Sequence, residues 1–139
     1  MPHITINPSI ASQYDRSQAK LVKLPAGKRA DINIAFSSPV NENAATVFDL
    51  TNGEVGVAHR NNQQATPQYG IYGPFASDVE LLIVASHKDG PSSPQLPWHQ
   101  SWIRTYRETP TEVRFGSSDA GVPQGNFSQA HAQITIELI

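Results

Sequence analysis

Five histidines, His3, His59, His87, His99 and His131, are the residues of this chain best suited to metal or acid–base chemistry, and there is no cysteine. Two imidazoles held on one metal by local sequence need spacings such as HxH or HExxH, because only then do both rings reach one point. Neither spacing occurs. The pattern reads as surface or loop histidines. The alternative is a cupin-like barrel enzyme in which distant strands bring two or three of them together with a carboxylate, and His87 and His131 would then be indispensable. Other catalytic signatures are missing as well. There is no GxSxG elbow, no GxxxxGK[ST] or GxGxxG phosphate loop, and none of the twelve Asp and Glu residues stands in a context diagnostic of a glycosidase pair. The expectation is a protein that binds and does not catalyse.

Binding chemistry is better represented. Trp98-His99-Gln100-Ser101-Trp102 follows a proline-rich loop, and Tyr69, Tyr72 and Phe75 surround another. An aromatic ring can stack on the apolar side of a pyranose while amides and carboxylates take its hydroxyls. Trp102 reads as a core residue; Trp98 is open between a stacking ring and a cap on the end of the fold. The chain closes on FGSSDAGVPQGNFSQAHAQITIELI, Phe115 to Ile139, a loop rich in side-chain oxygens that runs into an alternating strand. The residues selected for sugar binding are Asp119, Asn126, Gln129, Trp98 and His99, and Asp119 with Asn126 would be the ligands if a metal takes part.

These residues need elements to position them, and the elements read as strands. Alternation marks His3–Ile6, Ala19–Leu24, Ile32–Phe36, Thr46–Leu50, Glu54–His59, Ser101–Arg107, Glu112–Phe115 and Ala132–Ile139. In the last of these Ile134, Ile136 and Leu138 point inward, with Gln133, Thr135 and Glu137 outward. Thr51-Asn52-Gly53 is a hairpin signal. Val79–Ser86 (VELLIVAS) is apolar almost throughout, as expected of a strand covered on both faces. Ile71–Phe75 contains Pro74 and reads as an edge strand or extended loop. Ser9–Gln18 has room for a helical turn or two. Eleven prolines and nine glycines suit turns. Eight to ten short strands without a helix predict an all-β antiparallel sandwich of jelly-roll type, in a single domain over 1–139.

Composition narrows the partners. Charged residues are 16% of the chain and the net charge is −2, below the ~25% charged usual in soluble domains. No Lys/Arg run exceeds Lys28-Arg29, so the basic footprint of a nucleic-acid binder is missing. No apolar stretch approaches the ~18 residues of a membrane span. The first residues, MPHITINPSI, lack the basic and apolar regions of a signal peptide. The expectation is a protein cytoplasmic at synthesis, with release from the cell left open.

The terminal stretch also resembles the end of the calcium-dependent bacterial fucose/mannose-binding lectins. The resemblance rests on Gly116, Ser117, Asp119, Gly121, an aromatic at Phe127, Ala130 and a closing strand of similar length. In that family an acidic loop holds two calcium ions that bind sugar hydroxyls, and a neighbouring subunit's terminal carboxylate completes the site. Where the family has carboxylates this chain has Ser118, Ser128 and Gln129. The resemblance thus implies a related sandwich with an altered or metal-free site. Its expected partner is carbohydrate, calcium is its one candidate cofactor, and homo-oligomers would add avidity to a shallow site. The competing reading is a structural, assembly or toxin-associated sandwich subunit with no small ligand, paired through the terminal strand or another edge.

Overall fold

Period-two patterning has its strongest consequence in two strands far apart in the chain. In β3 (Ala30–Phe36) and β11 (Ala132–Leu138), Ile32, Ile34, Ile134 and Ile136 are buried while their neighbours face outward. The two strands pair antiparallel with Ile34 opposite Ile134 and Ile32 opposite Ile136. The computed structural model describes residues 5–8, 10–37, 41–53, 56–60, 68–90 and 95–139, without the side chains of residues 5–6 and 57–60. His3, Ile4, Glu54, Val55, the polar loop 61–67 and the imidazole of His59 lie outside the described residues.

Among the described residues there are eleven strands and three short 3₁₀ turns. One sheet runs β6 (Gln68–Tyr72), β3, β11, β10 (Glu112–Ser118), β9 (Trp102–Glu108). The other runs β1 (Thr5–Ile6), β8 (Trp98–Gln100), β7 (Val79–His87), β4 (Asn43–Asp49), β5 (Gly56–Arg60), with β2 (Lys20–Leu24) also on β7. All pairings are antiparallel. The shared core joins Val22, Val47, Leu81 and Ile83 of one sheet to Ile32, Ile34, Phe115, Ile134 and Ile136 of the other. Fully burying such a side chain stabilises by roughly 1.5–3 kcal/mol. This is the antiparallel sandwich the patterning predicts.

The apolar run Val79–Ser86 is buried on both faces, as expected. Leu81 and Ile83 enter the shared core, whereas Leu82 and Val84 join Phe48, Tyr14 and Ala11 in a second cluster outside the sheet. Two 3₁₀ turns, Ala11–Gln13 and Arg16–Gln18, form within the Ser9–Gln18 stretch. Asp15 fixes the second, accepting from the backbone N–H of Ser17 at 2.9 Å.

Three expectations change. The strands number eleven, not eight to ten, because short β8 hides inside a stretch that reads as loop. β4 begins at Asn43, ahead of the expected Thr46. The glycine- and serine-rich terminal loop starts later than its composition suggests. Gly116, Ser117 and Ser118 belong to β10, with Gly116 opposite Gln133 and Ser117 opposite Ala132. A Cβ on Gly116 would lie 2.5 Å from the Cβ of Ala130. The glycine is there for close packing and not for a turn.

Tyr14 gives the outer cluster a pH signature. Burial pushes its hydroxyl up to about 12, against the opposing pull of the Ser86 and Thr46 hydroxyls. The folded value lies above the ordinary 10.0, so the folded chain keeps a proton that the unfolded chain releases. That stability is complete below pH 10.0 and falls as pH climbs toward about 12. Urea midpoints measured across this range should decline for the wild type and decline less for Tyr14→Phe. An equal decline in both would assign the loss to other groups.

Candidate functional site

One end of the sandwich gathers side chains that the sequence scatters. His87 closes β7 and is fully buried. Its Nδ1 is 2.8 Å from Ser101 Oγ and its Nε2 is 3.3 Å from Asp89 Oδ1. His99 of β8 lies directly opposite His87, with ring centroids 5.8 Å apart, and its Nε2 is 3.5 Å from Asp89 Oδ2. Asp119, just past β10, accepts a hydrogen bond from Asn41 Nδ2 at 2.9 Å. Its Oδ1 lies 3.5 Å from His131 Nδ1 and 4.0 Å from His87 Nδ1. The backbone N–H of Asp119 donates to His131 Nδ1 at 3.1 Å, which places the proton of a neutral His131 ring on Nε2.

The expectation of surface or loop histidines therefore fails for His87 and His99, which are 0% and 9% exposed. Their strands are 99-to-87 neighbours in a sheet, and no short-range spacing signals that. The order Ser101–His87–Asp89 has the look of a nucleophile, base and orienting acid. Ser101 is fully buried, however, so its hydroxyl meets His87 and not a substrate. The arrangement ties the ends of β7, β8 and β10 together.

The five residues selected for sugar binding are distributed over this end. Trp98 is part-buried against the outer cluster, and Lys88 Nζ sits 4.9 Å over its ring. Lys88 in turn is 3.3 Å from Glu42 Oε1, and both residues are buried. His99 and Asp119 are buried in the histidine network. Asn126 and Gln129 are exposed at the turn Phe127–Gln129, where the backbone N–H of Asn126 donates to Gln129 Oε1 at 2.8 Å. A polar cleft of about 360 Å³ opens beside them, lined among others by Ser118, Gln124, Gln129 and His131. Of the five, Gln129 alone lines it among the described residues.

Calcium takes six to eight oxygen ligands, several of them anionic. Asp119 is the only carboxylate between Phe115 and His131, and its near neighbours are nitrogens of Asn41, His131 and His87. Among the described residues no three His, Asp or Glu side chains group as a metal ion needs. This donor set does not fit calcium.

A second surface has the opposite character: open, and bearing unoccupied hydrogen-bonding groups. On the outer face of the five-stranded sheet, Tyr69, Asn33, Thr135, Arg114 and Arg107 stand in one cross-strand row. Ile71, Asp31, Glu137 and Glu112 form the next row. Directly paired residues share a face, so each row is a continuous line of side chains. A cleft of about 470 Å³ runs among Tyr69, Asn33, Thr135, Arg114, Asp31 and Glu137, within the range of small-ligand sites. Tyr69 is 68% exposed.

Ion pairs fix the flanks of this cleft. Arg29 grips Asp31 through Nε at 2.7 Å and its second guanidinium nitrogen at 3.1 Å. Arg107 and Arg114 both reach Glu112 Oε1 through Nε, at 2.8 and 3.1 Å. Each of these two arginines keeps further N–H donors available, since a guanidinium carries five. The side chains of Asn33, Thr135 and Glu137 have no protein hydrogen bond among the described residues, and all three residues line the cleft. Sequence reasoning finds Thr135 and Glu137 as outward-facing positions and Tyr69 as a loop aromatic. It does not find the register that makes them one surface.

Comparison with protein-family models, with curated proteins and with solved structures gave no match.

Two measurements check this description of the histidine end. Asp119→Ala should destabilise the fold by about 1–3 kcal/mol, because part-buried Asn41 loses its acceptor and buried His87 loses its neighbouring carboxylate. Calcium added at millimolar level should leave the wild-type melting temperature unchanged; a calcium-dependent rise would restore an ion to the terminal loop.

Proposed function

We propose that this protein binds carbohydrate, and that it does so on the outer face of the β6–β3–β11–β10 sheet. The observation that carries the reading is the row Tyr69–Asn33–Thr135–Arg114, an exposed aromatic ring in line with an amide, a hydroxyl and a guanidinium. A pyranose has one apolar face and a rim of hydroxyls, each both donor and acceptor. The tyrosine ring matches the apolar face. Asn33 and Thr135 can donate and accept, Glu137 accepts, and Arg114 donates, so a rim of hydroxyls finds both kinds of partner. A site of this kind works without a metal.

The residues selected from the sequence, Asp119, Asn126 and Gln129 of the terminal stretch and Trp98 and His99 of β8, offer less. Trp98 already carries Lys88 over its ring, and Asp119 and His99 are turned into the buried network. The small polar cleft beside Gln129 is the remaining candidate at that end, with Ser118, Gln124 and His131 as its other polar side chains. A homo-oligomer would raise the avidity of either surface. The reading of a structural or assembly subunit competes for the same face, because exposed Tyr69 and Ile71 could equally meet a protein.

A glycan array probed with the purified protein, once with calcium and once with EDTA, addresses the class. Binding that is equal in both buffers is the expected result. Tyr69→Ala should then weaken it at least tenfold, about 1.4 kcal/mol or more, while Gln129→Ala leaves it within about twofold. Loss on Gln129→Ala with Tyr69→Ala unaffected would move the site to the terminal loop. Silence across the array would sink the carbohydrate reading and favour the assembly one.

A further inference from the structure

The geometry of this face says what kind of glycan it would take, an inference that rests on the carbohydrate reading above. We infer that the face accommodates an internal stretch of an uncharged linear glycan laid across the strands, one sugar ring per strand, and not a single terminal sugar. Two independent features point there.

The first is shape. Tyr69, Asn33, Thr135 and Arg114 come from four successive strands, β6, β3, β11 and β10. Adjacent strands lie ~4.8 Å apart, so the row is about 14 Å long. A pyranose unit in an extended chain advances by about one strand spacing, so successive rings can meet successive strands. Recognition of one terminal sugar requires polar groups converging on a point. Here they are spread along a line, beginning at edge strand β6 where Tyr69 stays 68% exposed.

The second is charge. Arg104 stands on the same face opposite Gly116, outside the cleft, and donates to the Gly125 carbonyl at 3.4 Å. Along the cleft itself three guanidiniums, Arg29, Arg107 and Arg114, meet three carboxylates, Asp31, Glu112 and Glu137. Their sum is zero, and Asp31 and Glu112 are held in ion pairs at 2.7–3.1 Å. A surface that selects an anionic polymer carries a net positive field and loses affinity as salt screens it. The groups along the cleft carry no such net charge. They act as fixed hydrogen-bonding partners, suited to neutral hydroxyls.

The test is titration calorimetry of the full chain against neutral linear oligosaccharides of one to six units. Series of β-1,4-linked glucose, β-1,4-linked mannose and α-1,4-linked glucose are each run at about 0.05 M and about 0.5 M salt, either side of physiological screening. Oligogalacturonates of matching length supply the anionic arm. Affinity in at least one neutral series should climb with each added unit to about four, the number of strands from Tyr69 to Arg114 whose row residues line the cleft, and then level off. Salt should change it less than about twofold. Thr135→Trp, which places a bulky ring mid-row on a solvent-facing position, should bring the tetramer down to the level of the mono- or disaccharide; circular dichroism confirms that the variant folds.

Full affinity already at one unit would overturn the linear-chain inference and leave carbohydrate binding intact. Preference for the oligogalacturonates with strong salt weakening would overturn the charge argument. Undiminished tetramer binding by Thr135→Trp would also overturn it, since the chain would then lie elsewhere. No heat with any sugar, together with a silent array, would remove the carbohydrate reading and this inference with it.

Discussion

The structure depends on a geometric constraint of the β-strand: successive side chains must point to opposite faces. Once Ile32, Ile34, Ile134, Ile136 and Phe115 are committed to the shared core, the residues between them have a fixed destination. Asp31 and Asn33 on β3, Thr135 and Glu137 on β11, and Arg114 on β10 emerge together on the opposite side. A slip of one residue in the β3–β11 register would turn one of the two strands over, burying its carboxylate, Asp31 or Glu137, and exposing its two isoleucines. The core thus enforces the outer surface, and a side-chain row assembled this way is held as firmly as the hydrophobic layer beneath it.

The other concentration of chemically capable groups obeys a different logic. His87, His99, Asp119, Lys88 and Glu42 are all nearly or fully withdrawn from water. Buried polar groups hold a structure in one arrangement when each has a partner, and penalise it when one is missing. The contacts at this end connect β7 to β8 through Asp89 and to the terminal loop through Asp119. Residue types usually associated with reactivity are used here to join strand ends. The less reactive types, Asn33, Thr135 and Tyr69, are the ones left facing solvent.

What the sequence reveals follows the range of the interaction involved. Alternation is local, so β3, β7 and β11 can be read from their own residues, and the double burial of Val79–Ser86 follows from its unbroken apolar run. The 3₁₀ turns near Tyr14 are visible for the same reason. Strand ends are less clear. Gly116 looks like a turn residue until Ala130 is seen packed against it, and β8 is only three residues long. Cross-strand register is invisible, because it depends on which strands become neighbours. For that reason His87 and His99 look unrelated in sequence, and Tyr69, known only as an aromatic near a loop, cannot be placed opposite Asn33.

The order of strands in the five-stranded sheet has a kinetic consequence. β11 sits between β3 and β10, and its pairing with β3 sets Ile34 against Ile134. The whole segment between Ile34 and Ile134 must be looped out before those residues meet, and the entropy of closing that loop is lost before any burial compensates it. Proteins dominated by such distant pairings fold in milliseconds to seconds, orders of magnitude more slowly than helical bundles. Until β11 arrives, β3 and β10 present unpaired backbone edges flanked by isoleucine and phenylalanine, the condition under which strands from different molecules pair with one another. Yield on refolding should therefore be governed by protein concentration during that interval more than by the final stability of the sandwich.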